Sequence, residues 1–68
     1  MRDYTRARTR VQTTRLVRGY NTIPAGWQGT IECIQDDGLG RRLVEVVWDA
    51  NGKRWPVFPE EIEPIEAQ

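Results

Sequence analysis

The side chains that could do chemistry in this 68-residue chain are mainly arginine and aromatic residues, and histidine is absent. Histidine is the side chain whose ordinary pKa lies near neutrality, so acid–base catalysis would need a strongly shifted carboxylate or lysine. Cys33 is the single cysteine, so the chain cannot close an internal disulfide, and one thiol without histidine cannot complete a zinc site. We therefore predict a protein that is not an enzyme and that uses no metal or cofactor.

Arginine is concentrated at the N-terminus. Residues 1–18 contain six arginines and one acid, a net charge of +5; because the whole chain is neutral, residues 19–68 carry −5. Guanidinium groups bind phosphates with paired hydrogen bonds, so this segment is a candidate arm for DNA or RNA. Residues 1–18 can equally be interpreted as a solvated segment, or as a first strand whose arginines pair with the acidic C-terminus. The six are Arg2, Arg6, Arg8, Arg10, Arg15 and Arg18.

Aromatic residues form the second candidate site. A domain this small must bury some of its rings, and we expect Trp48 and Phe58 to be in the core. Trp27 lies between two glycines and Trp55 follows a Lys-Arg pair, which favours exposure. An exposed tryptophan beside arginine is a common anchor of protein interfaces, and such rings also stack on nucleic-acid bases. The predicted partner-binding residues are Tyr20, Trp27, Arg54 and Trp55.

Two other groups have structural explanations that we favour over chemical ones. The adjacent carboxylates Asp36 and Asp37 precede a Gly-Leu-Gly sequence, which is typical of a turn rather than of a catalytic pair or a metal clip. Cys33 falls on the apolar face of a predicted strand and has no histidine to activate it. It is therefore expected to be a small buried hydrophobe rather than a nucleophile.

Alternation of apolar and polar residues, interrupted by turn residues, predicts an all-β domain. Asn51-Gly52 indicates a tight hairpin, because these residues tolerate positive φ at both central turn positions. Pro56 places its strand at an edge or a bulge. Residues 19–26 are predicted to form an ordered loop, and residues 59–62 one short helical turn that begins with proline. The strands are expected at about residues 9–18, 27–35, 41–49, 53–58 and 63–65.

The length allows one domain. A small domain has a thin margin of stability, and with no disulfide or metal available, self-association is an open alternative to compact packing alone. The basic N-terminus is followed by no apolar stretch, and no segment is apolar enough to span a membrane. Together with the free thiol, this predicts a cytoplasmic protein that does not bind membranes.

The order of elements resembles an SH3-like barrel over residues 16–65. The stretches IPAGWQGTI (23–31), VEVVWDANG (44–52) and VFPEEIEPI (57–65) are similar to short bacterial SH3-like domains of uncharacterised function. Members of that group tend to read PPGTxGTV, then VxWDNG, then xPxxxxExI, and some resemble accessory proteins of mobile elements. The resemblance implies a five-stranded SH3-like barrel, which we place at residues 9–66, with a 3-10 turn before the last strand. Residues 1–8 lack any apolar period and are expected to form a disordered or frayed basic arm.

Two better-known groups share part of this pattern. Eukaryotic SH3 domains bind proline-rich peptides on an aromatic groove. Pro59 matches their 3-10 turn, but Ile62 stands where they have tyrosine, so that groove is not expected. The plasmid-borne dihydrofolate reductases of SH3-like fold are similar at GWQGTI (26–31). Their pore requires a Val-Gln-Ile-Tyr run, and RWPV (54–57) stands at that place, which makes reductase activity a weak alternative.

The sequence therefore predicts a non-catalytic binding module or adaptor that acts on a protein partner or on copies of itself. The alternative is a nucleic-acid-binding accessory protein that uses the arginine-rich N-terminus. Fold resemblance alone decides neither, because one fold supports many functions.

Overall fold

The computed structural model describes residues 8–65, which contain five strands in a single sheet. Neighbouring strands are antiparallel, in the order β4-β3-β2-β1-β5, and no α-helix occurs in the described part of the chain. The all-β prediction is therefore confirmed. Most of the predicted arm at 1–8, including Arg2 and Arg6, lies outside the described residues. The elements are β1 (Arg10–Thr13), β2 (Gln28–Asp36), β3 (Arg42–Trp48), β4 (Arg54–Val57), a 3-10 turn (Pro59–Glu61) and β5 (Ile62–Pro64).

The hydrophobic core lies on one face of the sheet, as the alternation in β3 predicts. Val44, Val46 and Trp48 are buried, whereas Leu43 and Val47 point to the other face and are half-buried. Successive strand side chains face opposite ways, so a single strand supplies both surfaces. Among the described residues the buried apolar side chains are Val11, Val17, Ile23, Ile31, Val44, Val46, Trp48, Val57 and Ile62.

Gly29 allows β2 and β3 to pack closely beneath the largest core side chain. Gly29 is the register partner of Trp48, and both face the core. A Cβ at Gly29 would lie 2.6 Å from Val46 Cγ1 and 2.6 Å from the Val47 carbonyl oxygen. Since one of those atoms belongs to the backbone, the missing side chain is a packing requirement of the sheet.

A bulge in β2 reverses the predicted orientation of Cys33. Ile31 pairs with Val46, but Cys33 pairs with Glu45, so Glu32 is an extra residue in β2. An extra residue shifts the alternation by one position. The prediction that Cys33 is buried on the apolar face is therefore wrong: it is half-buried beside Glu45 on the outer face, and Ile34 takes the place on the core side.

The first strand is shorter than the predicted 9–18 because the chain leaves the sheet after Thr13. The following loop is ordered by a pair of backbone hydrogen bonds: Val17 N–H donates to Ile23 C=O (2.8 Å), and Ile23 N–H donates to Val17 C=O (3.0 Å). Both side chains are fully buried. The loop is thus anchored in the core at two points, and residues 18–22 form its tip.

The side chain of Thr13 closes the base of this loop. Its hydroxyl donates to the Pro24 carbonyl (2.7 Å) and accepts the Trp27 backbone N–H (3.0 Å). The Thr13 backbone contributes two more bonds, from its N–H to the Trp27 carbonyl and from Gly26 N–H to its own carbonyl. Thr13 is 2% exposed.

The hairpin between β3 and β4 forms at the predicted place with a different geometry. Gly52 has φ +70°, but Asn51 does not have positive φ. Gly52 N–H donates to the Trp48 carbonyl (2.7 Å), Trp48 N–H donates to the Lys53 carbonyl (3.0 Å), and the Asn51 side chain accepts Lys53 N–H (2.9 Å). The connection is a four-residue turn in which one glycine supplies the left-handed conformation, rather than a two-residue turn.

Each free edge of the sheet carries a proline. Pro56 lies in β4, which is an edge strand as predicted, and Pro64 lies in β5 at the opposite edge. Between these two prolines in sequence, the 3-10 turn is closed by two hydrogen bonds: Phe58 N–H donates to Glu61 Oε1 (2.8 Å), and Ile62 N–H donates to the Pro59 carbonyl. Proline lacks a backbone donor, so both edges offer little to an incoming strand.

The Thr13 hydroxyl can be tested by isosteric substitution. Thr13→Val should lower the free energy of unfolding by about 1–3 kcal/mol, because it leaves the Pro24 carbonyl and the Trp27 N–H without their partner. Thr13→Ser keeps the hydroxyl and loses one methyl group, for which we expect about 1 kcal/mol or less. Urea unfolding followed by tryptophan fluorescence measures both. A valine variant at least as stable as the serine variant would contradict the assignment.

Candidate functional site

Tyr20, at the tip of the long loop, packs against Phe58, which immediately precedes the 3-10 turn. The ring centroids are 6.1 Å apart and the planes are inclined by 47°. Tyr20 is 56% exposed, and Phe58 is half-buried. The prediction that Phe58 belongs to the core is wrong, because Val57 pairs with Val44 on the inner face and the next residue points away from it.

Arg41 extends this aromatic pair into a mixed surface. Its guanidinium carbon lies 4.7 Å from the centroid of the Phe58 ring, within the range of a cation–π interaction. Arg41 precedes β3, so the surface joins three chain connections: the long loop, the turn between β2 and β3, and the approach to the 3-10 turn. We call Tyr20, Arg41 and Phe58 the Tyr20 surface.

Asp37 positions Arg41. One oxygen, Oδ2, accepts the Arg41 Nε–H (2.7 Å), while Oδ1 accepts the backbone N–H groups of Leu39 (2.8 Å) and Arg41 (3.2 Å). The Asp37 side chain is 1% exposed. The hydrogen bond from the Leu39 N–H, followed by those from Arg41, holds the pKa of this carboxyl below its ordinary value.

The neighbouring Asp36 supports the same turn. Its Oδ1 accepts the backbone N–H groups of Gly38 (2.8 Å) and Gly40 (3.3 Å). Both aspartates therefore act as turn formers, which confirms that prediction. The sequence analysis did not predict that Asp37 also fixes the position of the Arg41 side chain. The Asp-x-x-x-Arg spacing was visible, but only the closed turn brings Asp37 to the Arg41 side chain.

The tryptophans form a separate cluster on the core side. Trp27 and Trp55 are stacked, with planes inclined by 6° and centroids 6.5 Å apart, and Trp27 lies 6.4 Å from buried Trp48. The Trp48 Nε1–H donates to the Trp55 carbonyl (3.1 Å). Trp27 and Trp55 are half-buried and pack against the core. The structure thus brings these two predicted residues together, and no ring contact within residues 8–65 joins them to Tyr20.

Arg54, the fourth predicted partner-binding residue, lies on the outer face of the sheet. Its Nε is 3.2 Å from Glu45 Oε1, and its Nη1 is 4.0 Å from Glu32 Oε1. Both glutamates come from neighbouring strands of the same sheet. Arg54 is therefore engaged within the domain, away from the inner face that carries the tryptophans.

Arg10 is also engaged within the domain. It binds Asp49 through two hydrogen bonds, of 3.0 and 2.5 Å, and donates to the Thr30 hydroxyl (2.8 Å). The hydrogen bond from Arg10 lowers the pKa of Asp49. Of the other predicted nucleic-acid-binding residues, Arg8, Arg15 and Arg18 are exposed. Arg8 lines an open groove of about 390 Å³ on the outer face, together with Thr30, Ile31, Glu32 and Val47.

The described part of the chain contains no group of three His, Cys, Asp or Glu side chains arranged to hold a metal ion. No helix within residues 8–65 has the length and apolar character required to cross a membrane. No protein-family model matches the chain, and no curated protein or solved structure shows significant similarity to it.

The pKa of Asp37 generates a pH prediction. Because this pKa lies below its ordinary value of 3.8, the ionised carboxylate stabilises the fold above that pH, and the stabilisation is lost as pH falls through the folded-state value. Asp37→Asn keeps one oxygen for the two backbone N–H groups but loses the charged bond to Arg41. Its melting temperature should be lower than that of the wild type near neutrality, and the two should converge as the pH is lowered from about 5 to about 2.

Thermal unfolding followed by circular dichroism measures this difference. Asp37→Ala serves as the comparison, since it also removes the acceptor for the backbone N–H groups and should be the less stable variant at every pH. A difference between wild type and Asp37→Asn that does not change with pH would contradict the role of the ionised carboxylate.

Proposed function

We propose that this domain is a non-catalytic protein-interaction module of SH3-like barrel type, and that it binds a segment of a partner protein on the Tyr20 surface. The observation that carries the proposal is an exposed tyrosine seated on a second aromatic ring that also holds an arginine. Tyrosine and arginine are enriched among residues that dominate interface energetics. The long first loop, the five short strands and the 3-10 turn before β5 support the SH3-like assignment.

The Tyr20 surface is prepared for binding because its parts are already ordered. The loop that carries Tyr20 is anchored by buried Val17 and Ile23, and its base is closed by Thr13. Phe58 is held beside the 3-10 turn, where its N–H is bound by Glu61. A surface that is ordered before binding loses less conformational entropy when the partner docks.

The other predicted partner-binding residues are less suited to be the centre of the interface. Trp27 and Trp55 stack on each other and pack against the core, so part of each ring is already covered. Arg54 lies beside two carboxylates of the sheet, with its Nε 3.2 Å from Glu45 and its Nη1 4.0 Å from Glu32, so its charge is already compensated within the domain. We assign these three residues a supporting role at the edge of the interface or within the fold.

Docking onto side chains is also favoured over addition of a strand. Pro56 and Pro64 remove backbone donors from the two edges of the sheet. Strand addition depends on a row of free backbone groups at an edge. The Tyr20 surface is built by chain connections and therefore needs no free edge.

Site-specific photo-crosslinking in cells of the source organism tests this proposal. A benzophenone amino acid replaces Tyr20 in one variant and Gln35, an exposed residue near the end of β2, in a matched control. We expect one defined protein to be crosslinked at position 20 and not at position 35. With that protein purified, Tyr20→Ala should weaken the Kd by about 30-fold or more, as expected for an interface hot spot, whereas Gln35→Ala should not.

Equal crosslinking at both positions, or a Kd that Tyr20→Ala leaves unchanged, would contradict the proposal. The calorimetric titration that gives the Kd also reports whether each variant still binds with a stoichiometry expected of folded protein. This separates loss of the interface from loss of the fold.

A nucleic-acid-binding accessory function is the second candidate, and one observation favours it. Arg15 and Arg18 are exposed on the same loop as Tyr20, and Arg41 lies at the same surface. Basic side chains beside an exposed ring are the combination that single-stranded nucleic acids require, with phosphates bound by cations and bases stacked on aromatics.

An amide-resolved NMR titration with short single- and double-stranded oligonucleotides tests the second candidate. Under this function, resonances of residues 8–20 shift at low salt, and the shifts collapse at physiological salt because phosphate contacts release counterions. The double variant Arg15→Gln/Arg18→Gln should reduce the slope of log K against log salt by about two, whereas Lys53→Gln should change it little. No shift at low salt would exclude this function for the described arginines.

A further inference from the structure

We infer, on the basis of the proposed function, that the Tyr20 surface recognises an acidic segment of its partner, in which a carboxylate lies next to an apolar or aromatic side chain. In this arrangement the two terminal amino groups of Arg41 bind the carboxylate, and the neighbouring side chain packs on the Tyr20 ring. The inference rests on how Arg41 is held.

The Arg41 guanidinium is fixed on two sides. Its Nε–H is bonded to Asp37 Oδ2 (2.7 Å), and its guanidinium carbon lies over the Phe58 ring, 4.7 Å from the ring centroid. Nη1 and Nη2 have no hydrogen-bond partner among residues 8–65, and the side chain is 56% exposed. A fixed guanidinium with both terminal amino groups free matches the geometry of a carboxylate, which accepts two parallel hydrogen bonds.

The Asp37 carboxylate is engaged by hydrogen bonds within the turn. Its two oxygens accept three hydrogen bonds, two of them from backbone N–H groups, and the side chain is shielded from solvent. Asp37 therefore orients Arg41 without presenting an exposed carboxylate that would repel an acidic ligand. Asp37 is a positioning residue in this interpretation.

A second exposed arginine, Arg18, precedes the loop residue that approaches this surface. A Cβ at Gly19 would lie 4.0 Å from Phe58 Cε2, so the loop backbone at this point is close to the Phe58 ring, and the residue before it is exposed Arg18. The nearby Glu61 carboxylate is engaged by Phe58 N–H. Arg41, with Arg18 on the adjoining loop, offers positive charge to an acidic segment, and the exposed Tyr20 ring supplies the adjoining apolar contact.

Selection from a random peptide library displayed on phage tests the inference with a defined probe. The wild type, Arg41→Gln and Tyr20→Ala are immobilised separately, and retention of the fold is checked by amide NMR spectra of each variant. Wild type should enrich peptides with Asp or Glu adjacent to an aromatic or aliphatic residue. Arg41→Gln should lose this enrichment for acids while still selecting the apolar residue.

A selected peptide is then synthesised together with its Asp→Asn or Glu→Gln counterpart. On the wild type we expect the amide counterpart to bind about tenfold or more weakly, and on Arg41→Gln we expect the two peptides to bind alike, because the charged pair is already lost. Arg41→Lys should recover part of the preference, since it keeps the charge but not the two parallel donors.

The inference is overturned if the wild type selects peptides without acids, or if the acid-to-amide change weakens binding equally on the wild type and on Arg41→Gln. Neither result affects the proposed function, which fails separately if Tyr20→Ala selects the same peptides as the wild type with unchanged affinity.

Discussion

The arrangement of the Tyr20 surface depends on the hydrogen bonds of the Thr13 hydroxyl. This hydroxyl joins the end of β1 to both Pro24 and Trp27, and thereby decides where the long loop leaves the sheet and where it returns. Because Thr13 is buried, water cannot replace these hydrogen-bond partners, and losing the bonds would lower the free energy of unfolding. The same anchor places Trp27 where it stacks with Trp55 and approaches Trp48.

The base of the loop therefore separates two aromatic clusters, the three tryptophans and the Tyr20–Phe58 pair, which differ in burial. The tryptophans pack on the inner side of the sheet, where Trp48 faces the gap left by Gly29 and binds the Trp55 carbonyl through its indole nitrogen. Tyr20 and Phe58 meet outside the core, at chain connections. The first cluster contributes burial of large rings to a domain with little core, and the second leaves the Tyr20 ring exposed.

Local patterns predicted β2 to β5 well but not the end of β1, because alternation in β3 and the turn residues around it are properties of short segments. Errors arose where one residue changes the side that its neighbours face. The bulge at Glu32 moved Cys33 outward, and Val57 took the core position that was predicted for Phe58. The pairing of Tyr20 with Phe58 was not predictable, since it joins residues distant in sequence through a loop whose path depends on Thr13.

The charged residues differ in how completely the domain engages them. On the outer face, Arg10 is matched by Asp49 and Arg54 by Glu45, so these cations serve the sheet that carries them. Exposed pairs of this kind contribute little to stability. Arg41 differs because its partner, Asp37, occupies only its Nε edge and lies shielded in a turn. A cation held in this way keeps its hydrogen-bonding capacity for another molecule, which is why we place recognition at the connections rather than on the face of the sheet.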